Sequence, residues 1–178
     1  IQIGLPRFTL IAATTRIALL SAPFRSRFGA SYRLNFYDQK NFEEIIERSA
    51  KILGMNLEEE AKKNLALASR YTPRIANKLL KRTRDLAQVK GIEKINSEVA
   101  KETLKMLEID ELGLEATDKR ILEAIINNFG GGPVGIKTIA ALIAEDEETI
   151  EDVFEPYLMQ IGFLTRTPKG RIATRLAF

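Results

Sequence analysis

Two arginines spaced two residues apart, Arg25 and Arg27, stand downstream of a threonine pair, Thr14 and Thr15, that closes a short apolar run beginning at Phe8. Such a run, bounded before by Pro6 and after by hydroxyl residues, reads as a covered strand of a parallel sheet. Ligands of open α/β sheets bind outside the carboxyl ends of the strands. Threonine hydroxyls at that end, with guanidiniums on the segment that Gly29 bounds, suit a phosphate-bearing ligand, because a guanidinium offers a rigid fork of charged donors. A further arginine, Arg74, follows Thr72 and Pro73 at the start of a helical pattern. A cation in the first turn opposes the helix dipole by a few tenths to about 1 kcal/mol, so either solvent screens it or an anion arrives. At the other end of the chain Arg166, Lys169 and Arg171 sit in RTPKGR, inside a stretch from Pro156 onward that holds no acidic residue. Several cations on a turn suit the backbone of duplex DNA, where each neutralised phosphate releases counterions without reading sequence. The plain alternative for all of these charges is a solvated surface, the common fate of arginine and lysine.

The inventory around them is narrow. The 178 residues contain no Cys, no His and no Trp, so thiolate metal sites, disulfides and imidazole acid/base chemistry are excluded. Carboxylates, Lys, Arg, Tyr and hydroxyls remain. A reducing cytoplasm is allowed by the missing cysteines. Hydrophobic residues at 45% and charged residues at 29%, with a net charge of +3, describe an ordinary globular chain. No apolar run approaches the roughly 20 residues that span a bilayer. The opening IQIGLPRF lacks a basic region followed by a cleavage site and reads as a cut end rather than a signal peptide.

Three blocks must position these groups. Residues 1–37 read as the end of an α/β unit, with a strand from Phe8 and a second at Ser31 to Tyr37, where Tyr32, Leu34 and Phe36 alternate with polar residues; so short a run needs further strands to cover its faces. Residues 38–109 read as wholly helical, in four helices: one between an Asp38 cap and Gly54, one through Leu57 to Ala68, one opening at Thr72-Pro73, and one capped by Ser97. Residues 110–178 begin in the acidic, glycine-broken DELGLEATD, suited to a domain boundary. A helix capped by Thr117 or Asp118, a break at FGGGPVG, helices at Ile136 to Ile143 and Glu147 to Gln160, and two short strands about Pro-Lys-Gly follow. That is the plan of a winged helix. The helix at Glu147 to Gln160 carries five acids, so a major groove would repel it.

ATTR (13–16), SAPFRSRFG (21–29), YTPRIANKLLKRTRD (71–85), FGGGPVG (129–135) and IEDVFEPYLMQIGFLTRTPKGR (150–171) occur in an order and spacing that resemble the RuvB family of bacterial ATP-driven Holliday junction motors. The resemblance covers essentially the whole chain. It implies a mainly helical fold with a small α/β remnant: the end of an AAA+ large ATPase domain, a four-helix AAA+ lid, and a C-terminal winged-helix domain. It implies that Arg27 acts as an arginine finger on a neighbouring subunit's γ-phosphate, with Arg25 less central, and that Thr14 or Thr15 senses that phosphate. Arg74 resembles the lid's sensor arginine, and Tyr37 the junction aromatic that packs near the nucleotide. Arg166 and Arg171, with Lys169, take the place of the family's DNA-contacting wing. ATP or ADP with Mg²⁺, duplex DNA of Holliday junctions, a RuvA-type junction-binding protein and a homo-hexamer are the implied ligand and partners. The family's phosphate loop, GxxxxGK followed by Ser or Thr, and its acidic Mg²⁺-holding strand appear nowhere in these residues. This stretch alone is therefore expected not to hydrolyse ATP. Two rival readings are a clamp-loader-like or initiator ATPase, against which FGGGPVG and RTPKGR argue, and a non-enzymatic winged-helix DNA-binding protein.

Overall fold

The structure is a computed structural model that describes residues 4, 6–35 and 37–178. Its chain forms two compact units, Ile1–Asn35 and Phe36–Phe178.

In the first unit a 3-10 turn at Ile17–Leu19 precedes a one-turn helix, α1, at Ala22–Arg25. The strands expected from Phe8 and from Ser31 do not form among the described residues, and Phe36 of the second lies outside them. Phe8, Ile11, Tyr32 and Leu34 are all exposed. The physical reason is that a strand exists only through a hydrogen-bonded neighbour, and neither stretch finds one. Phe24 and Phe28 meet edge to face at 5.3 Å across α1.

The second unit opens with a helical layer. Helix α2, Gln39–Ile52, starts where the Asp38 carboxylate accepts the Asn41 N–H at 2.7 Å. Helix α3, Glu59–Ala68, carries Glu59 and Glu60 at its positive end. Helix α4, Pro73–Lys90, has Pro73 in its first turn and a left-handed Gly91 behind it. Helix α5, Ser97–Met106, is capped by Asn96, which accepts the Val99 N–H at 3.1 Å. Ser97, the expected cap, accepts from Asn64 at 2.9 Å instead. Phe42, Ile46, Leu65, Leu79 and Leu80 fill the middle of this layer. Three residues after α2, β1 (Asn56–Leu57) pairs in parallel with β2 (Lys94–Ile95). This departs from the wholly helical expectation, since two residues are too few to show a period of two.

The remaining residues form a second core around Ile121, Ile125, Ile139, Ile150 and Leu158. Helix α6, Ala116–Phe129, is capped at Glu115 rather than at Thr117 or Asp118. Asp118, three residues in, reaches back to accept the Glu115 N–H at 2.8 Å, the returning half of a capping box. Helix α7 is Ile136–Ile143. The third helical run comprises α8 (Glu147–Thr149), a π-helical turn (Ile150–Phe154) and α9 (Glu155–Gln160). Pro156 accounts for the widened turn: it has no N–H to give the Asp152 carbonyl, and its ring crowds that carbonyl. Strands β3 (Leu164–Thr167) and β4 (Gly170–Ala173) are antiparallel, with Arg166 opposite Arg171. Val134 extends the hairpin by exchanging two backbone hydrogen bonds with Arg171, at 2.9 and 2.8 Å. Three helices and a hairpin make a winged helix.

Candidate phosphate-sensing and nucleic-acid surfaces

In the first unit Arg25 ends α1 and Arg27 sits in the turn after it. Both guanidiniums are exposed, and neither has an ion-pair partner among the described residues. Thr14 and Thr15 are exposed as well, with the Thr14 hydroxyl oxygen accepting the Arg16 N–H at 3.0 Å. These four residues therefore stay available to a ligand.

In the second unit Arg74 projects into solvent from the first turn of α4. Thr72 holds the capping position, but its hydroxyl donates back to the Arg70 carbonyl at 3.1 Å and caps nothing. The positive end of an 18-residue helix thus meets solvent without a side-chain acceptor and with a guanidinium beside it, a combination that favours an arriving anion. Tyr37 is half exposed, and its ring lies 6.4 Å from Phe42, which meets Tyr71 edge to face at 6.3 Å. Exposed guanidiniums and hydroxyls match the oxygens of a phosphate. They do not match Mg²⁺, which takes oxygen donors with carboxylates prominent, and no acidic group of three or more that could hold a metal is gathered among the described residues.

The wing divides its cations into two kinds. Lys169 at the turn is exposed and without an ion-pair partner among the described residues. Arg166 is half exposed and leans on Glu151 at 3.0 Å. Arg171, by contrast, is turned inward with its side chain only 8% exposed, donating from Nε to Glu155 and from Nη2 to Glu151, each at 2.5 Å. Burial works against its charge, but the hydrogen bonds it donates to both carboxylates, with their negative charge, outweigh that and hold its pKa above the usual arginine value. Arg171, expected at the DNA, has its Nε and Nη2 donors on Glu155 and Glu151, and these bonds tie β4 to the helix behind it. Two of the acids that make the Glu147–Gln160 run repulsive are the same two, so part of that charge is neutralised within the fold.

Sequence reasoning did not find the partners Glu151 and Glu155, nor a second buried cluster in which Arg70 meets Asp118 at 3.1 and 3.3 Å and lies 4.2 Å from the centre of the Tyr157 ring. Glu151 and Glu155 were four apart on one helix face, which is a usable signal. Nothing in sequence marked Arg70.

A four-helix layer followed directly by a winged helix makes up the second unit. Residues 1–34 match the Holliday junction DNA helicase RuvB P-loop domain, residues 37–110 the RuvB AAA lid domain, and residues 111–178 the RuvB C-terminal winged helix domain. The chain belongs to the RuvB family. The Holliday junction branch migration complex subunit RuvB of Dehalococcoides mccartyi is 56% identical over all 178 residues, and that of Chloroflexus aggregans 53%. The chain spans 51% of the length of each. Among solved structures, the Thermotoga maritima RuvB Holliday junction branch migration motor superposes with a TM-score of 0.81 at 45% identity, over 90% of this chain and 54% of that one. A mutant of the same protein gives 0.82 at 46%, over 92% and 55%.

Proposed function

We propose that this chain is part of an ATP-driven motor that moves Holliday junctions along duplex DNA, in a hexameric ring working with a RuvA-type junction-binding protein. One observation carries the reading: a single compact unit joins an uncapped helix start bearing exposed Arg74 to a winged helix whose hairpin tip holds Lys169 and Arg166 in solvent. ATP with Mg²⁺, when bound, supplies a phosphoanhydride whose hydrolysis is exergonic. With nucleotide bound, Arg74 would neutralise phosphate charge within its own protomer, and the hydroxyl of Thr14 or Thr15 would donate a hydrogen bond to a terminal phosphate oxygen. Arg27 is lent to the neighbouring protomer, where a positioned guanidinium stabilises the charge that develops on the transferring phosphoryl group. Tyr37, half exposed beside Phe42, would pack against the nucleotide when it is bound. The wing contacts backbone phosphates, so binding is indifferent to sequence.

The DNA role is tested by filter binding of generic duplex DNA across a salt series. Replacing Arg166 or Lys169 by Ala is expected to flatten the slope of log K against log salt by about 1 each. An unchanged slope removes the wing from the interface. The role of Arg27 is tested by mixing full-length Arg27→Ala protein with a partner lacking its phosphate loop lysine: restored ATPase shows donation between protomers, and no restoration sinks it.

A further inference from the structure

The residues just ahead of Arg74 are conformationally unusual. Arg70 and Tyr71 both occupy the left-handed region, at φ 51° and 50°, a conformation non-glycine residues avoid and that two in succession hold only when surroundings impose it. Two contacts impose it here, and both come from the winged helix. The Arg70 guanidinium is sandwiched by the wholly buried Asp118 at the start of α6 and by the Tyr157 ring on α9. The Tyr71 ring packs against the winged-helix core while meeting Phe42, which in turn faces Tyr37. Tyr157 is tied further, its hydroxyl donating to the Leu112 carbonyl in the connector.

Tyr37 heads a row of ring contacts through Phe42 to Tyr71, and Arg74 stands three residues along the chain from Tyr71, in the first turn of α4. In the middle stand Arg70 and Tyr71. At the other end α9 presents Tyr157 to Arg70 and, two residues earlier, Glu155 to Arg171 in β4 of the wing. The left-handed pair is held by this clamp, and coupling between distant sites calls for an element that both sites can bias.

We infer that Arg70, clamped between Asp118 and Tyr157, couples nucleotide state at the start of α4 to the grip of the wing on DNA. It acts as a positioning residue and touches neither ligand. The inference rests on the reading of the chain as a nucleotide-driven DNA motor, and it deepens that reading by naming the joint through which the two ends communicate.

Linkage supplies the test, because a nucleotide that changes DNA affinity by some factor must have its own affinity changed by the same factor. In the full-length protein the affinity for generic duplex DNA is measured with and without a slowly hydrolysed ATP analogue, for wild type, Arg70→Gln, Arg70→Lys and Asp118→Asn. Wild type is expected to show a ratio of roughly 5- to 150-fold. Arg70→Gln and Asp118→Asn are expected to bring that ratio to within about twofold of unity while leaving nucleotide-free DNA affinity within about twofold of wild type, a pattern that a loss of folding does not produce. Arg70→Lys keeps the charge but loses the planar fork and the stack, and it is expected to retain part of the ratio. Should Arg70→Gln melt too early to measure, Arg70→Lys and Asp118→Asn decide. A wild-type ratio preserved in the folded variants overturns the inference. So does a wild-type ratio of one with DNA still bound, which leaves the DNA-binding reading standing, whereas failure of wild type to bind DNA at all overturns both.

Discussion

Arg166 and Arg171 face each other across one hairpin and answer to different physics. Arg171 and Glu155 are both nearly sealed from water. Removing one partner of a buried pair strands the other charge, at a cost of about 3–5 kcal/mol, so Arg171→Ala is expected to lower the melting temperature of the winged helix by several degrees or more. Arg166 is half exposed and its pairing with Glu151 is screened; Arg166→Ala is expected to change stability by less than about 1 kcal/mol. Calorimetry of the two variants separates them, and equal costs would show the burial of Arg171 to be inconsequential. Tyr157 offers a second prediction. Burial pushes its hydroxyl up to about 12 from an ordinary 10.0. An acid raised on folding stabilises fully below its unfolded pKa and loses that contribution as pH rises through the folded one. Wild type should therefore shed stability between about pH 10 and 12 in excess of Tyr157→Phe, read as a widening loss of melting temperature. Parallel curves for the two proteins would deny the hydroxyl its place in the connector.

The connector between lid and winged helix is an element in its own right. Gly113 sits at φ +81°, and a Cβ there would come within 2.6 Å of the Ala68 carbonyl oxygen. Strain and overlap act together, so Gly113→Ala is expected to cost about 1–3 kcal/mol, visible as a lowered urea midpoint in the unit 36–178. A midpoint unchanged by that substitution would mean the two layers do not approach closely at this point. Elements with a strong period were legible in sequence. The helix from Asp38 to Gly54, the α4 start at Thr72-Pro73, and the Ile136–Ile143 helix stand where the Asp38 cap, Pro73 and the apolar stripes put them. Helix starts with several candidate acceptors were not: Asn96 displaced Ser97, and Glu115 displaced Thr117 and Asp118, because neighbouring polar residues can all reach the same N–H groups. The π-helical turn follows from Pro156 only once the surrounding helix is known to continue through it. Among site residues, Arg25, Arg27 and Arg74 are exposed and Arg171 turns inward; the inward turn was not legible because a sequence shows which charges a segment carries but not which lie opposite in space.

Across the whole molecule, each half of the second unit has a complete apolar core of its own, around Phe42 and Leu79 in one and Ile121 and Leu158 in the other. Arg70 and Tyr71, on the first layer, both reach the second core, Arg70 through Asp118 and Tyr157 and Tyr71 by packing against it. The first unit is different in kind: its described residues form short turns, and Phe8, Leu10, Ile11, Tyr32 and Leu34 face water. FTLIAA, residues 8–13, is six residues long, uncharged, free of proline and rich in strand-forming types, with Ile11 left 90% exposed. Segments of that description stack into intermolecular zippers when nothing shields them. Purified by itself, the 178-residue polypeptide should cloud and bind thioflavin on standing, whereas a version starting at residue 36 should stay clear at the same concentration.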